Sequence, residues 1–279
     1  MPGPAVELPE LVVVSGDPLP DAASGKGSAL QTWRDHAGRL VATGGRVAGA
    51  WWMDWPELAT FWFGPAGPVR ATTTRRSNDP QVKDIFIRGV TPVVLVTRGD
   101  EALHASAVAC DDGTVVALCA ASGTGKSTMA YAMAVAGARH FADDTLLYRF
   151  DGGRPMAIRL PFPTRVDENV KSAVGRAPGD WLAWTGGEGR PLKRVYQLLR
   201  DDGTPARAPA FRAIDPVASF EILLSHAHPA EMGGPARQRA FIEHVMALAR
   251  QTEVWECRFT PSLEALPDLA AQVLNHAVR

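Results

Sequence analysis

One stretch constrains this chain more than any other: Ala120-Ala-Ser-Gly-Thr-Gly-Lys-Ser-Thr128, directly after the apolar run Thr114-Val-Val-Ala-Leu-Cys-Ala120. An apolar run that stops at two close glycines and resumes as the amphipathic Met129-Ala-Tyr-Ala-Met-Ala-Val135 reads as strand, tight loop and helix. Gly123 and Gly125 let the backbone turn so that its N–H groups point inward at an anion. The helix starting near Lys126 adds the positive end of its dipole to the same place. Ser122, Gly123, Thr124, Gly125, Lys126, Ser127 and Thr128 are therefore the candidate triphosphate-binding set. Lys126 charges the β- and γ-phosphates and the Ser127 hydroxyl ligates Mg²⁺. The usual pattern G-x-x-x-x-G-K-[ST] is departed from once, because Ala120 stands where the first glycine belongs. The competing reading is a Gly-rich turn with a surface lysine; the flanking strand and helix favour the phosphate loop.

Composition removes several alternatives. A length of 279 residues allows one large domain or two small ones, and a formal net charge of -1 gives no broad electrostatic footprint for nucleic acid. No apolar run approaches the length of a membrane span, and the N-terminus lacks the basic-then-apolar order of a signal peptide. Cys110, Cys119 and Cys257 have no metal-ligand spacing, and the first two sit in apolar runs where a buried reduced thiol is the default. These readings point to a cytoplasmic protein with neither a nucleic-acid nor a membrane partner.

Residues 1–98 read as a β-rich, Trp-rich N-terminal region, and 99–279 as the domain that carries the loop, unless the whole is one continuous domain. In the first region Leu8–Val14 and Leu40–Val47 are strand candidates, with a Gly- and Ser-rich stretch through Ser28 between them. Trp51, Trp52, Trp55, Phe61, Trp62 and Phe63 form either a packed wall or a ligand-stacking surface. Val82–Thr97 reads as a short helix or strand followed by an apolar strand at Pro92–Val96. Further on, Leu103–Cys110 and Thr114–Ala120 form a hairpin around Asp111-Asp112-Gly113. Lys126–Ala136 is a helix stopped at Gly137, and His140–Phe150 is a strand that turns at Asp151-Gly152-Gly153. Residues 161–210 alternate strands and loops, and the helices Pro235–Arg250 and Leu263–His276 flank a strand at Val254–Phe259.

If Cys110 faces Thr114, paired residues of the hairpin sum to about 224, which puts His104 opposite Ala120 at the mouth of the loop. There it can contact phosphate or modulate a neighbouring carboxylate, where a lone histidine is more often structural. Phe141-Ala-Asp-Asp144 follows the loop's helix and returns to the sheet as a neighbour of the first strand. Two adjacent acids there divide into a metal ligand and a proton acceptor, the alternative being an acidic pair that caps a turn.

Leu103-His-Ala-Ser-Ala-Val108, Ala121-Ser-Gly-Thr-Gly-Lys-Ser-Thr128 and Gly137-Ala-Arg-His-Phe-Ala-Asp-Asp144 together resemble the kinase domain of HPr kinase/phosphorylase. They look more closely like the shorter HPr-kinase-like proteins, some of which sit beside lasso-peptide biosynthesis enzymes and phosphorylate a serine of the precursor peptide. The resemblance covers about residues 103–150. It implies an α/β P-loop kinase of the phosphoenolpyruvate-carboxykinase-like type with a mixed sheet, using ATP and Mg²⁺. His104 is then the active-site histidine, Lys126 and Ser127 bind triphosphate and metal, Asp143 is the general base and Asp144 lies nearer the metal. Lys193, in Pro191-Leu-Lys-Arg-Val-Tyr-Gln-Leu198, resembles the basic residue that short members bring toward the phosphates, with Arg194 in reserve; a solvated edge charge is the alternative. Arg165 is a further candidate for the substrate side. His226 and His228 are too few ligands for a metal. After residue 160 the glycine-rich signature of the bifunctional enzymes is not found, nor does the N-terminal third look like their separate N-terminal domain.

The function expected is therefore an ATP-dependent serine kinase acting on a peptide or protein, foremost a lasso precursor peptide. The alternatives are a kinase of a free small molecule such as an amino acid, a regulatory HPr-type protein kinase, and a nucleotide-sensing module without turnover. A groove leading to Asp143 separates the first from a metabolite kinase, which needs a closed cavity. A sensor has no need of the base. A homo-oligomer is compatible with the resemblance.

Overall fold

Short runs rich in β-branched and aromatic residues become strands throughout this chain, and the longer amphipathic runs become helices. The computed structural model describes residues 6–14, 29–35, 37–47, 49–73, 75–161, 166–177, 187, 189–201, 208–228 and 234–279. Two units are present. Glu101–His228 and Ile242–Arg279, with Val6, make one; Glu7–Asp100 with Pro229–Phe241 make the other, so the division is not a single cut between 98 and 99. No helix among the described residues is long and apolar enough to cross a membrane.

The unit of Glu7–Asp100 is built on six strands: β1 (Leu11–Val13), β2 (Gln31–Arg34), β3 (Leu40–Val47), β4 (Ala50–Trp55), β5 (Ala59–Phe63) and β6 (Val69–Thr73). Their order is β1-β6-β5-β4-β3-β2, antiparallel except for the parallel pair β1–β6. Helix α1 (Pro80–Ile85) runs through a π-helical turn, Phe86–Val90, into α2 (Thr91–Thr97). Pro92–Val96, expected as a strand, is thus helical. Five consecutive apolar residues suit a buried helix as well as a strand, and Pro92, which has no N–H to donate, falls just after the π-helical turn, where the Thr91 N–H bonds to the Phe86 carbonyl and the regular ladder is already interrupted. Trp51, Phe61 and Phe63 pack on Val82, Phe86, Val90 and Val94, and the Trp51 ring stacks on Phe63 at 6.0 Å. Trp52 and Trp62, paired across β4 and β5, point to the other face and are buried too. Trp51, Trp52 and Trp62 are therefore core, and Trp55 is half-buried with its ring edge-on to Phe61.

The other unit carries β7 (Glu101–Leu103), β8 (Ala105–Ala109), β9 (Val115–Cys119), α3 (Lys126–Val135), β10 (Arg139–Ala142), β11 (Leu146–Asp151) and β12 (Arg154–Ile158). Then come α4 (Glu168–Val174), β13 (Gly189–Arg200), β14 (Ala210–Ala213) and α5 (Pro216–His226). The chain ends with α6 (Gly234–Gln251), whose first residues belong to the other unit, β15 (Glu253–Phe259) and α7 (Leu266–Ala277). The twelve-residue β13 is the spine. Its first residues pair with β12, which continues through β11 to β7; the rest runs parallel to both β9 and β15. On the β9 side the order continues to β8 and β10, on the β15 side to β14, each joined antiparallel. The result is a mixed α/β sheet with a glycine loop and helix issuing from a central parallel strand.

Every residue of β8 and β9 is buried, which explains their unbroken apolar character. Val108, Val116, Leu118, Tyr196 and Leu198 meet α3 and α7 in one core, with Met129, Met133, Leu269 and Val273 from the helices. Two expected strands are interrupted. The run from Leu103 breaks at His104 between β7 and β8, and His140–Phe150 breaks at Asp143-Asp144 between β10 and β11. Both breaks fall where the chain leaves one part of the sheet for another. α4 is a helix within the stretch 161–210 that was expected to alternate strands and loops; α5, beyond that stretch, is started by Asp215, whose carboxylate accepts from Val217 and Ala218 N–H.

Candidate active site

The loop after β9 holds the conformation its glycines suggest. Gly123 has φ +79° and Gly125 φ +108°, in the region where a side chain is strained. Ala120 lies outside that region, since the only non-glycine residues of positive φ among those described are Glu57 and Asp144. Alanine in place of the first glycine therefore brings no backbone strain. Gly125 is the N-cap of α3 and no side chain bonds to the cap, so the first-turn N–H groups are left for an anion.

Lys126 is buried and folds back over the loop. Its Nζ donates to the Ala120 carbonyl at 3.0 Å and lies 3.1 Å from Nε2 of His104. On the other side of the ring, Nδ1 is 3.1 Å from the Asp144 carbonyl and 3.5 Å from Asp144 Oδ1. An ammonium can only donate, so Nε2 accepts and Nδ1–H donates to Asp144: the arrangement selects a neutral His104. Burial pulls the Lys126 ammonium below its usual range, against the upward pull of Asp144, Cys119 and Asp143. The hairpin register, Ala105 opposite Cys119 and Ala109 opposite Val115, follows the sum of 224 and brings His104 to this place.

Asp143 and Asp144 turn in opposite senses. Asp143 is 4% exposed and its Oδ1 accepts from the Ser106 hydroxyl at 3.1 Å. Asp144 adopts φ +65°, which aspartate tolerates, and holds its carboxylate 75% exposed beside His104. The pair does form a turn, with Thr145 N–H bonded to the Asp143 carbonyl, but a turn that drives one acid inward. Ser106 Oγ also lies 3.4 Å from Ser127 Oγ, so a chain of oxygens runs from the start of α3 to the buried carboxylate. Sequence reasoning missed Ser106. The available signal was a polar residue inside an otherwise apolar buried strand, which must find a partner. The oxygen-only set of Ser127 and the two aspartates suits a hard cation such as Mg²⁺, which keeps several waters and shares the phosphates. Among the described residues no group of three or more His, Cys, Asp or Glu is placed to hold a metal unaided.

The remaining candidates separate. Lys193 does not reach the loop. Leu192 pairs with Val115 at the start of β9, and Lys193 Nζ lies 3.7 Å from Asp112 in the hairpin turn. Seven residues of strand, about 23 Å, divide it from the loop end of β13. Arg194 is buried in a structural network with Glu253, Tyr196 and the His276 carbonyl. The basic residue at the loop end of that strand is Arg200, which shares a cavity with Gly123, Gly125 and Thr128. Arg165 lies outside the described residues. His226 and His228, unassigned from sequence, come to the site through the backbone: His104 N–H donates to the His226 carbonyl at 2.7 Å and His228 N–H to the Ala102 carbonyl at 2.9 Å. The His228 ring stands edge-on to His104 at 6.0 Å. Burial, Lys126 and His104 together hold His226 below its usual range.

No protein-family model matches the chain, and no curated protein matches its sequence. Among solved structures, the Hpr(Ser) kinase/phosphatase from Coxiella burnetii is similar at 16% identity and a TM-score of 0.36, over 63% of this chain and 96% of that one.

Proposed function

We propose that this chain is an ATP- and Mg²⁺-dependent kinase that phosphorylates a serine hydroxyl on a peptide, foremost a lasso precursor peptide. The observation that carries the kinase reading is the convergence of a phosphate-loop lysine and a buried carboxylate through two serine hydroxyls, Lys126 and Ser127 on one side, Ser106 and Asp143 on the other. A phosphate-binding module alone has no use for the second half. The peptide acceptor is supported by the resemblance of the three segments to the short peptide-modifying kinases; the buried tryptophans lend it nothing.

In this reading Lys126 leaves the Ala120 carbonyl and His104 to meet the β- and γ-phosphates. A bound Mg²⁺ supplies charge neutralisation at the transferred phosphoryl group. Ser127 and Asp144 would hold that ion. The acceptor's O–H proton passes to Asp143 as the new O–P bond forms and the P–O bond to the nucleoside diphosphate breaks. Ser106 fixes the rotamer of Asp143, and His104, released by Lys126, presents Nε2 to the same space.

Incubation with Mg-ATP and a panel of serine-ended peptides, read by mass spectrometry, tests the proposal. Phosphoserine on a peptide is expected, and none with Asp143→Asn. Phosphorylation of free serine alone would transfer the reading to a metabolite kinase. Nucleotide binding with no acceptor in either pool would leave a sensor.

A further inference from the structure

The segment that leaves α5 lies along the edge of β7 that β11 does not occupy. Leu103 and Ala227 form an antiparallel bridge there. The bonds from His104 N–H to the His226 carbonyl and from His228 N–H to the Ala102 carbonyl flank it on either side. Residues directly opposite in such a bridge point the same way, and so do residues two apart along one strand. His104, His226 and His228 therefore share one face. The His228 ring stands 6.0 Å from that of His104, and the charges of Lys126 and His104 reach His226. Among the described residues no hydrogen bond engages a ring nitrogen of His226 or His228, and His228 is exposed. An imidazole donates at least one N–H in either charge state, so two donors face this space without an acceptor.

That calls for an anion. A cation does not suit the place: no group of three ligands is formed among the described residues, and the Lys126 ammonium stands beside His104. Two N–H groups without a permanent charge match the two oxygens of a carboxylate, whereas phosphate is taken by guanidinium groups or several main-chain N–H groups. The carboxyl end of α5 does not oppose an anion here, because the Leu224 and His226 carbonyls are occupied by Ala227 and His104 N–H.

We propose that His226 and His228 bind a carboxylate that the acceptor carries beside its hydroxyl. The assignment rests on the kinase reading above and adds what else the acceptor must carry. His104 joins the two halves: its Nδ1 meets Asp144, next to the base, and its ring shares a face with the histidine pair. A serine with a free α-carboxylate has this chemistry, its hydroxymethyl group and carboxylate being bonded to the same Cα. The carboxyl end of a peptide and the free amino acid both supply it.

The full chain with Mg-ATP and three acceptors tests it: a peptide ending in serine as the free acid, the same peptide as its amide, and free serine. The kcat/KM for the acid is expected to exceed that for the amide about tenfold or more, the worth of a hydrogen bond to a charged group. His226→Phe and His228→Phe keep an aromatic ring and lose the N–H; each should bring the ratio toward one through the KM of the acid. His228→Gln, which keeps a donor, should hold the ratio. His228 is exposed, so its variants carry the test if His226→Phe does not fold. Free serine turned over with the same dependence on the two histidines would support the site and assign its carboxylate to an amino acid. A ratio near one in the native chain, or one that survives the Phe variants, overturns the assignment and leaves the kinase reading standing. Phosphorylation of none of the three overturns the serine-kinase reading and this assignment with it.

Discussion

Ser106 joins two groups of different duty, and its substitution separates them. Ser106→Ala removes a hydroxyl that holds Asp143 from β8 and leaves the loop's own backbone and Lys126 in place. Mg-ATP affinity is expected to stay within about threefold and kcat to fall about tenfold to a hundredfold, the range for a misplaced proton acceptor. Calorimetry and turnover on the same preparation check this, and a parallel loss of affinity would make Ser106 part of the metal site instead. At this scale the sequence is informative wherever chemistry needs a rare residue in a fixed pattern: Gly123, Gly125, Lys126 and the acidic pair are such cases. It misleads at Lys193, because basic residues occur near both ends of β13 and only the parallel register with β9 tells which end meets the loop. It is silent on His226 and His228, whose approach to His104 runs through main-chain bonds that any residue can make.

Among the elements, α3 depends most on one residue. Gly125 ends the loop at φ +108°, where a Cβ meets nothing nearer than Thr128 Cβ at 4.0 Å, so the penalty for alanine is torsional and not steric. Gly125→Ala is expected to cost about 1–2 kcal/mol. The chain can escape that cost by relaxing the loop, which turns the N–H groups off the phosphates. A lower urea midpoint together with lost ATP binding is the expected pair; unchanged binding would show that the left-handed turn is dispensable. The hairpin β8–β9 and the strand β15 are legible because their patterns are local: a turn dipeptide, or a buried apolar run between polar ends. The breaks at His104 and at Asp143-Asp144 are not, since a strand that changes partners keeps its apolar character on both sides of the break. α2 escapes sequence reading for a related reason, the unbroken apolar run Pro92–Val96 having no polar face to reveal its period.

Taken whole, the molecule carries part of its acid sensitivity in one buried ring. His140 lies within β10 with no exposure, and burial, opposed by Asp143 and reinforced by Arg159, pushes its pKa down to about 4. The ordinary value of 6.5 applies once the chain unfolds, so between about pH 6.5 and 4 the unfolded chain binds the extra proton. Stability is full above that window and falls as pH drops through it, by up to about 1.4 kcal/mol per pH unit. Urea midpoints at pH 7, 6 and 5 should decline more steeply for the native chain than for His140→Phe; matching slopes would place the acid sensitivity elsewhere. The thiols have a different consequence. Cys119 and Cys257 lie in the sheet and Cys110 at the hairpin turn just past β8, all buried, with burial pushing the pKa values of Cys110, Cys119 and Cys257 to about 11, 12 and 12. Residues 7–100 contain none. A thiol reagent at neutral pH therefore finds nothing to react with until that sheet opens, and the native sequence is already a clock for its breathing, one that a bound nucleotide would slow.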